Sequence, residues 1–124
     1  MDAHDRSLEL YAAGRYQEAL SFAETAVSLG KHEFGPDHPS TATLLNNLAN
    51  LYHTQGQYAE AEPLYQRALA IKDKALGPGH PHVAQSLENY AHLLRETKRG
   101  KEASQLEARA SAIRTKHSLD NPVK

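Results

Sequence analysis

Apolar residues in the middle of the chain recur at three- and four-residue steps. Leu44, Leu45, Leu48, Leu51 and Tyr52 make one such stripe, the pattern of an amphipathic helix. Gly56 interrupts it, and Ala61, Leu64, Tyr65, Ala68, Leu69 and Ile71 restart the same period. The spacing predicts two helices in succession. The second runs from about Tyr58 to Leu76, is ended by Gly77, and is followed by a helix starting near Pro81. Pro63 removes a backbone donor for the carbonyl of Ala59, but it lies close to the helix start and should bend the helix rather than break it. Ala49, Ala61 and Ala68 are small where two helices must approach closely. The predicted unit is therefore a helical hairpin.

The hairpin repeats. At an offset of 42 residues, Gly35, Pro36, His38, Pro39 and Ala42 fall on Gly77, Pro78, His80, Pro81 and Ala84. Gly14, Tyr16, Glu18 and Ala19 fall on Gly56, Tyr58, Glu60 and Ala61, a further step reaches Glu102 and Ala103, and Ala26 falls on Ala68 and Ala110. One ungapped period over so many positions signals a solenoid of stacked supersecondary units. The expected organisation is a single all-α array over residues 1–117. Its units span about 1–42, 43–84 and 85–117, and residues 118–124 form a flexible tail. The last unit departs from the pattern, with Lys98, Gly100 and Glu107 where Gly56, Tyr58 and Tyr65 stand. Its stripe of Ala103, Leu106, Ala110 and Ile113, backed by Ser104, Gln105, Arg109 and Ser111, is that of a terminal cap with a polar outer face. The first helix is weakened too, with Asp2, Ala3 and Arg6 where Leu44, Leu45 and Leu48 stand. It is either a second cap or a remnant of a longer array.

These residues resemble a known family. Ala49, Tyr52, Gly56, Tyr58, Ala61, Tyr65 and Ala68 follow the tetratricopeptide pattern, and the Gly-Pro-x-His-Pro loop marks its 42-residue variety, the long repeat of kinesin light chains and their bacterial relatives. The resemblance covers roughly residues 3–117. It implies a right-handed superhelical α-solenoid of about three hairpins, or about six helices, with the first helix of each hairpin lining a concave groove. The groove positions it implies are Thr43, Asn46, Asn47, Asn50, His53 and Thr54 in the second unit. In the third they are Gln85, Glu88, Asn89, His92, Arg95 and Glu96, and in the first Leu8, Tyr11 and Ala12. Kinesin light chains bind cargo peptides in such grooves, although the coiled-coil heptads expected for heavy-chain binding are missing here.

The groove amides have a physical rationale. A side-chain amide both donates and accepts, matching the N–H and C=O of an extended peptide. Asn46, Asn47 and Asn50 cost helix propensity that Ala or Glu would have kept. Ligand contact is one reason for that cost; ordering the repeat stack is the other. Arg95 has the fork geometry for a ligand carboxylate, or is a surface charge beside Glu96 or Glu88. Tyr11, Tyr52, Tyr58 and Tyr65 sit on repeat-packing positions and are expected in the core rather than in an aromatic cage. With only about two equipped inner helices, affinity for a linear peptide should be weak, on the order of micromolar.

Composition narrows the alternatives. The formal net charge is -1, too small to drive nucleic-acid binding by counterion release. Residues 1–40 carry seven acidic and three basic side chains, and residues 95–124 carry eight basic and four acidic ones, an end-to-end asymmetry that suits a solvated surface or head-to-tail association. There is no cysteine, which removes disulfides and thiolate zinc sites. His38 and His80 occupy equivalent loop positions, so a repeated structural hydrogen bond is the expected account; no metal or other cofactor is expected. His53 and His92 lie in the groove region, where they would make contacts sensitive to mild acid. No nucleophile elbow or Gly-rich phosphate loop occurs, and the glycines follow the period or end helices, so no enzyme is expected. The start lacks a secretory h-region and no apolar run reaches membrane-spanning length, which points to a soluble cytoplasmic protein. The reading is a protein-interaction module with a peptide partner. The alternative is a structural or self-associating module, disfavoured because the ends of the array read as polar.

Overall fold

A computed structural model describes residues 3–120, with side chains from Arg6 to Leu119. Six helices follow in order: α1 (Ala3–Ala12), α2 (Tyr16–Glu33), α3 (Pro39–Thr54), α4 (Tyr58–Leu76), α5 (Pro81–Glu96) and α6 (Gly100–Asp120). There is no strand among the described residues. Each helix packs chiefly on the helices before and after it in the chain, the nearest-neighbour pattern of a solenoid. α4 runs unbroken through Pro63 and spans the range that the periodicity predicts.

The periodic alanines sit at the helix crossings. Ala19, Ala61 and Ala103 are fully buried, as are Ala42, Ala49, Ala68 and Ala84. A larger side chain at any of them would have to displace a neighbouring helix. Gly30, inside α2, is a further close approach and departs from the expectation that every glycine follows the period or ends a helix. A Cβ there would fall 2.5 Å from Cδ1 of Leu44 on α3. Beside it the buried Thr41 hydroxyl donates to the carbonyl of Gly35 at 2.7 Å, drawing the loop onto the start of α3.

The repeated loop is a helix start. His38 and His80 both take extended backbone before a first-turn proline. The Ser40 N–H donates to Nδ1 of His38 at 2.9 Å, and the His82 N–H donates to Nδ1 of His80 at 3.0 Å. The two histidines thus make the same structural bond, satisfying one of the orphan donors that every helix N-terminus leaves.

The two ends of the array differ. α6 buries Ala103, Ala110 and Ile113 and exposes Ser104, Gln105 and Ser111, while Arg109 turns back to Asp73 on α4 at 2.8 Å. Arg95, Arg99 and Arg114 also pair with carboxylates, so much of the basic C-terminal excess is spent on ion pairs within the stack. α6 continues through Ser118, Leu119 and Asp120, the first residues of the expected tail; residues 121–124 lie outside the described residues, as do the side chains of Asp2 and Ala3. The opposite end is not polar. Leu29 on α2 is 50 % exposed, whereas its equivalents one and two repeats later, Ile71 and Ile113, are 3 % and 7 % exposed. Phe22 and Phe34 are exposed beside it. α2 therefore exposes an apolar position that α4 and α6 bury, contrary to the expectation of two polar ends.

The third hairpin keeps the backbone of the first two despite its altered sequence. Gly14 and Gly56 turn with φ of 79° and 77°, and Lys98 takes the same left-handed conformation with φ of 63°. A side chain there costs about 1–2 kcal/mol, partly offset by the greater freedom of glycine in the unfolded chain. Replacing Lys98→Gly should raise the unfolding free energy by about 1 kcal/mol in urea denaturation, and a loss of stability would contradict this account of the turn.

Candidate functional site

α1, α3 and α5 border a cleft of about 440 Å³ lined by residues from Ser7 to Glu96. Successive inner helices touch through residues 43 positions apart, one repeat plus one residue. The Thr54 hydroxyl donates to the carbonyl of Asn50 at 2.8 Å, so in its 3.2 Å contact with Tyr11, 43 residues away, it accepts from the phenol. The same relation places His53 beside Glu96, with Nε2 2.8 Å from Oε1.

Tyr65 anchors this arrangement from below. It reaches in from α4, is 1 % exposed, and donates its hydroxyl proton to Oδ1 of Asn50. A hydroxyl has one proton, so the 3.1 Å contact with Nδ1 of His53 is one in which the ring N–H donates to Tyr65. That bond orients the His53 ring and aims Nε2 at Glu96. His92, one turn before Glu96 on α5, brings its own Nε2 to 2.7 Å from the same Oε1. Tyr58 donates to the other carboxylate oxygen at 2.9 Å. Two imidazole nitrogens and one carboxylate oxygen lie within 4.8 Å of one another.

The electrostatics follow from these contacts. The hydrogen bond from His53, then that from Tyr58, holds the Glu96 carboxyl below the usual carboxylate range. Its bond to Glu96 raises the Tyr58 phenol. Burial pushes the Tyr65 hydroxyl up, so it stays protonated and serves as a relay rather than a charge.

Of the residues proposed from the sequence, Asn47, Asn50, His53 and His92 line the cleft, joined by Thr54 and Glu96. Thr43, Asn46, Gln85, Asn89 and Arg95 do not line it. Thr43 is exposed and donates to the carbonyl of Pro39, and Gln85 donates to Asn89 along the same helix. Asn46 Oδ1 is buried without a hydrogen-bond partner. Arg95 makes the fork that its chemistry favours, but onto Glu107 of α6, with Ser104 alongside. Tyr11 and Tyr58, expected in the core, border the cleft, and Tyr11 is 40 % exposed. His38 and His80 cap helices, as their equivalent loop positions suggest, while His53 and His92 converge on Glu96. The 43-residue relation between inner helices is the signal that finds this set.

Comparison with known proteins places this geometry among relatives. The family model described as tetratricopeptide repeat matches residues 7–74 and, in a second register, 41–116. The crystal structure of BtubC (BKLC) from P. vanneervenii superposes with a TM-score of 0.86 at 18% identity, over 98% of this chain and 48% of that one. The nearly identical TPR-like repeats of a Podosopora anserina protein described as a kinesin light chain superpose with a TM-score of 0.84 at 28% identity, over 93% and 55%. The first likeness is one of fold alone. The chain spans about half the length of these structures. No curated protein matches it significantly in sequence.

The Tyr65 hydroxyl serves both Asn50 and His53, so Tyr65→Phe removes this bond from Asn50 Oδ1 and from His53 Nδ1. Urea unfolding should show a loss of about 1–2 kcal/mol; an unchanged midpoint would show that the phenol is not the anchor.

Proposed function

Since the chain belongs to the tetratricopeptide repeat family, whose repeats mediate protein–protein interactions and are typically not catalytic, we propose that it holds a linear peptide segment of a partner in the α1–α3–α5 cleft. The observation that carries this reading is the lining itself. Asn47, Thr54 and His92 offer polar groups beside Tyr11, Leu8 and Leu51, a mixture that suits the alternating amides and side chains of an extended chain. Tyr and His contribute contact area at low entropic cost. With three inner helices the groove is short, so binding on the order of micromolar fits a reversible adaptor. No helix among the described residues is long and apolar enough to cross a membrane.

The test is a selection from a displayed peptide library. The wild-type chain, a cleft variant with Asn47→Ala and Tyr11→Ala, and an outer-face variant with Ser104→Ala are compared, with circular dichroism checking each fold. Peptides kept by the outer-face variant and lost at least about tenfold in affinity by the cleft variant are the expected result. Peptides bound equally by all three would contradict the cleft reading.

A second reading, a stacking module, is favoured by Phe22 and Leu29, exposed on α2, and Phe34, exposed just past its end. The positions of α4 and α6 equivalent to Leu29 are buried, so this face fits another helical hairpin, from a second copy or a longer array. Sedimentation of the chain should show concentration-dependent association that Leu29→Lys abolishes. A monomer at all concentrations would contradict self-association through this face.

A further inference from the structure

His53, His92 and Glu96 converge in a way that peptide binding does not explain. The Tyr65 contact commits the Nδ1 proton of His53, so the Nε2 of that ring faces Oε1 of Glu96 at 2.8 Å, with the His92 Nε2 2.7 Å from the same oxygen. With the Nδ1 proton committed to Tyr65, a neutral His53 would set a lone pair against the Glu96 carboxylate, so a proton or a metal ion must bridge them, and His92 reaches the same oxygen. The surroundings are those of a supported ligand set. A metal-bound histidine donates its other N–H to a fixed acceptor, and His53 does so to Tyr65; a ligating carboxylate is itself hydrogen-bonded, and Glu96 is held by Tyr58.

We propose that His53, His92 and Glu96 bind one divalent transition-metal ion of the zinc class. Two imidazole nitrogens and one carboxylate oxygen suit Zn2+, Co2+ or Ni2+ far better than Mg2+ or Ca2+, which prefer oxygen alone. The donor atoms already lie within 4.8 Å of one another. Tetrahedral coordination needs them about 3.3 Å apart, so the two short contacts must open slightly. The means are present: the side chains of His92 and Glu96 are 69 % and 36 % exposed, while that of His53 is 10 % exposed and held. His53 is thus the fixed ligand, and the other two close on the ion from the next inner helix. Three protein ligands leave a coordination position open toward the cleft, where a carboxylate or imidazole of a docked molecule completes the shell. The ion would also clamp α3 to α5, tying the second hairpin to the third. This inference does not rest on the peptide reading.

The test is calorimetric titration of the full chain with ZnCl2 alone, repeated with CoCl2 and visible absorption. His92→Ala and Glu96→Gln remove ligands at exposed positions and should leave the fold intact. Tyr65→Phe removes the support of His53 without removing a ligand. His82→Ala is the control, because His80 and His82 form the other close histidine pair, with ring centroids 4.7 Å apart. The expected result is one saturable equivalent, with the Co2+ form showing tetrahedral d–d bands. His92→Ala and Glu96→Gln should each weaken it at least about tenfold, Tyr65→Phe about tenfold, and His82→Ala not at all. Absence of saturable binding would overturn the proposal and leave protons as the only cations at this site. Binding insensitive to His92→Ala, or abolished by His82→Ala, would overturn it equally.

Discussion

The close approach of successive helices is the constraint on which everything else here depends. It is met by alanine at fixed intervals: Ala19, Ala61 and Ala103 at one crossing, Ala26, Ala68 and Ala110 at another, each buried. An alanine buries little area, so these positions contribute through distance rather than through hydrophobic transfer. They let the larger Leu45, Leu48, Tyr65, Leu87 and Leu94 interdigitate around them. The interval of 42 residues then fixes which side chains of adjacent hairpins meet. The cleft is a consequence of that register, since a shift of one residue would separate His53 from Glu96 and Tyr11 from Thr54 together.

Within this frame the polar groups divide into those that hold the stack and those left facing the cleft. Glu62 accepts from both Tyr90 and Arg99, joining α4 to α5 and the start of α6. Glu88 pairs with Arg114 and Asp73 with Arg109. These pairs are partly exposed and add modestly to stability; what they do is fix register and consume charges that would otherwise mark the surface. The network of Tyr65, Asn50, His53 and Glu96 differs in that it opens onto solvent. One end is anchored under α3 and the other ends in groups that a ligand or an ion can reach.

Much of the fold is legible in the sequence because the signal is periodic. The limits of α4, the start of α5 at Pro81 and the shared role of His38 and His80 all follow from local rules of helix capping and hydrophobic spacing. Lys98 shows the reverse case, where the sequence breaks its pattern and the backbone does not, because packing on both sides of the turn imposes the conformation. The site was legible only in part. Repeat position singles out Asn47, Asn50, His53 and His92, which border the cleft, but assigns Tyr11 and Tyr58, which border it too, to packing. A tyrosine can pack with its ring and present its hydroxyl to the cleft, and repeat position alone does not separate the two. Arg95 is engaged away from the cleft, its fork taken by Glu107 on the following helix, a contact that repeat position does not reveal. The exposed face of α2 was missed because apolar spacing identifies a buried stripe without saying whether a neighbour is there to cover it.

The account stands on the cleft being the face that meets a partner. The most direct measurement is the amide chemical-shift map of the isotopically labelled chain as a selected peptide is added. The predicted result is movement confined to α1, α3 and α5, largest around Asn47, Thr54 and His92. Movement concentrated on α2, around Phe22 and Leu29, with the cleft unchanged, would contradict it.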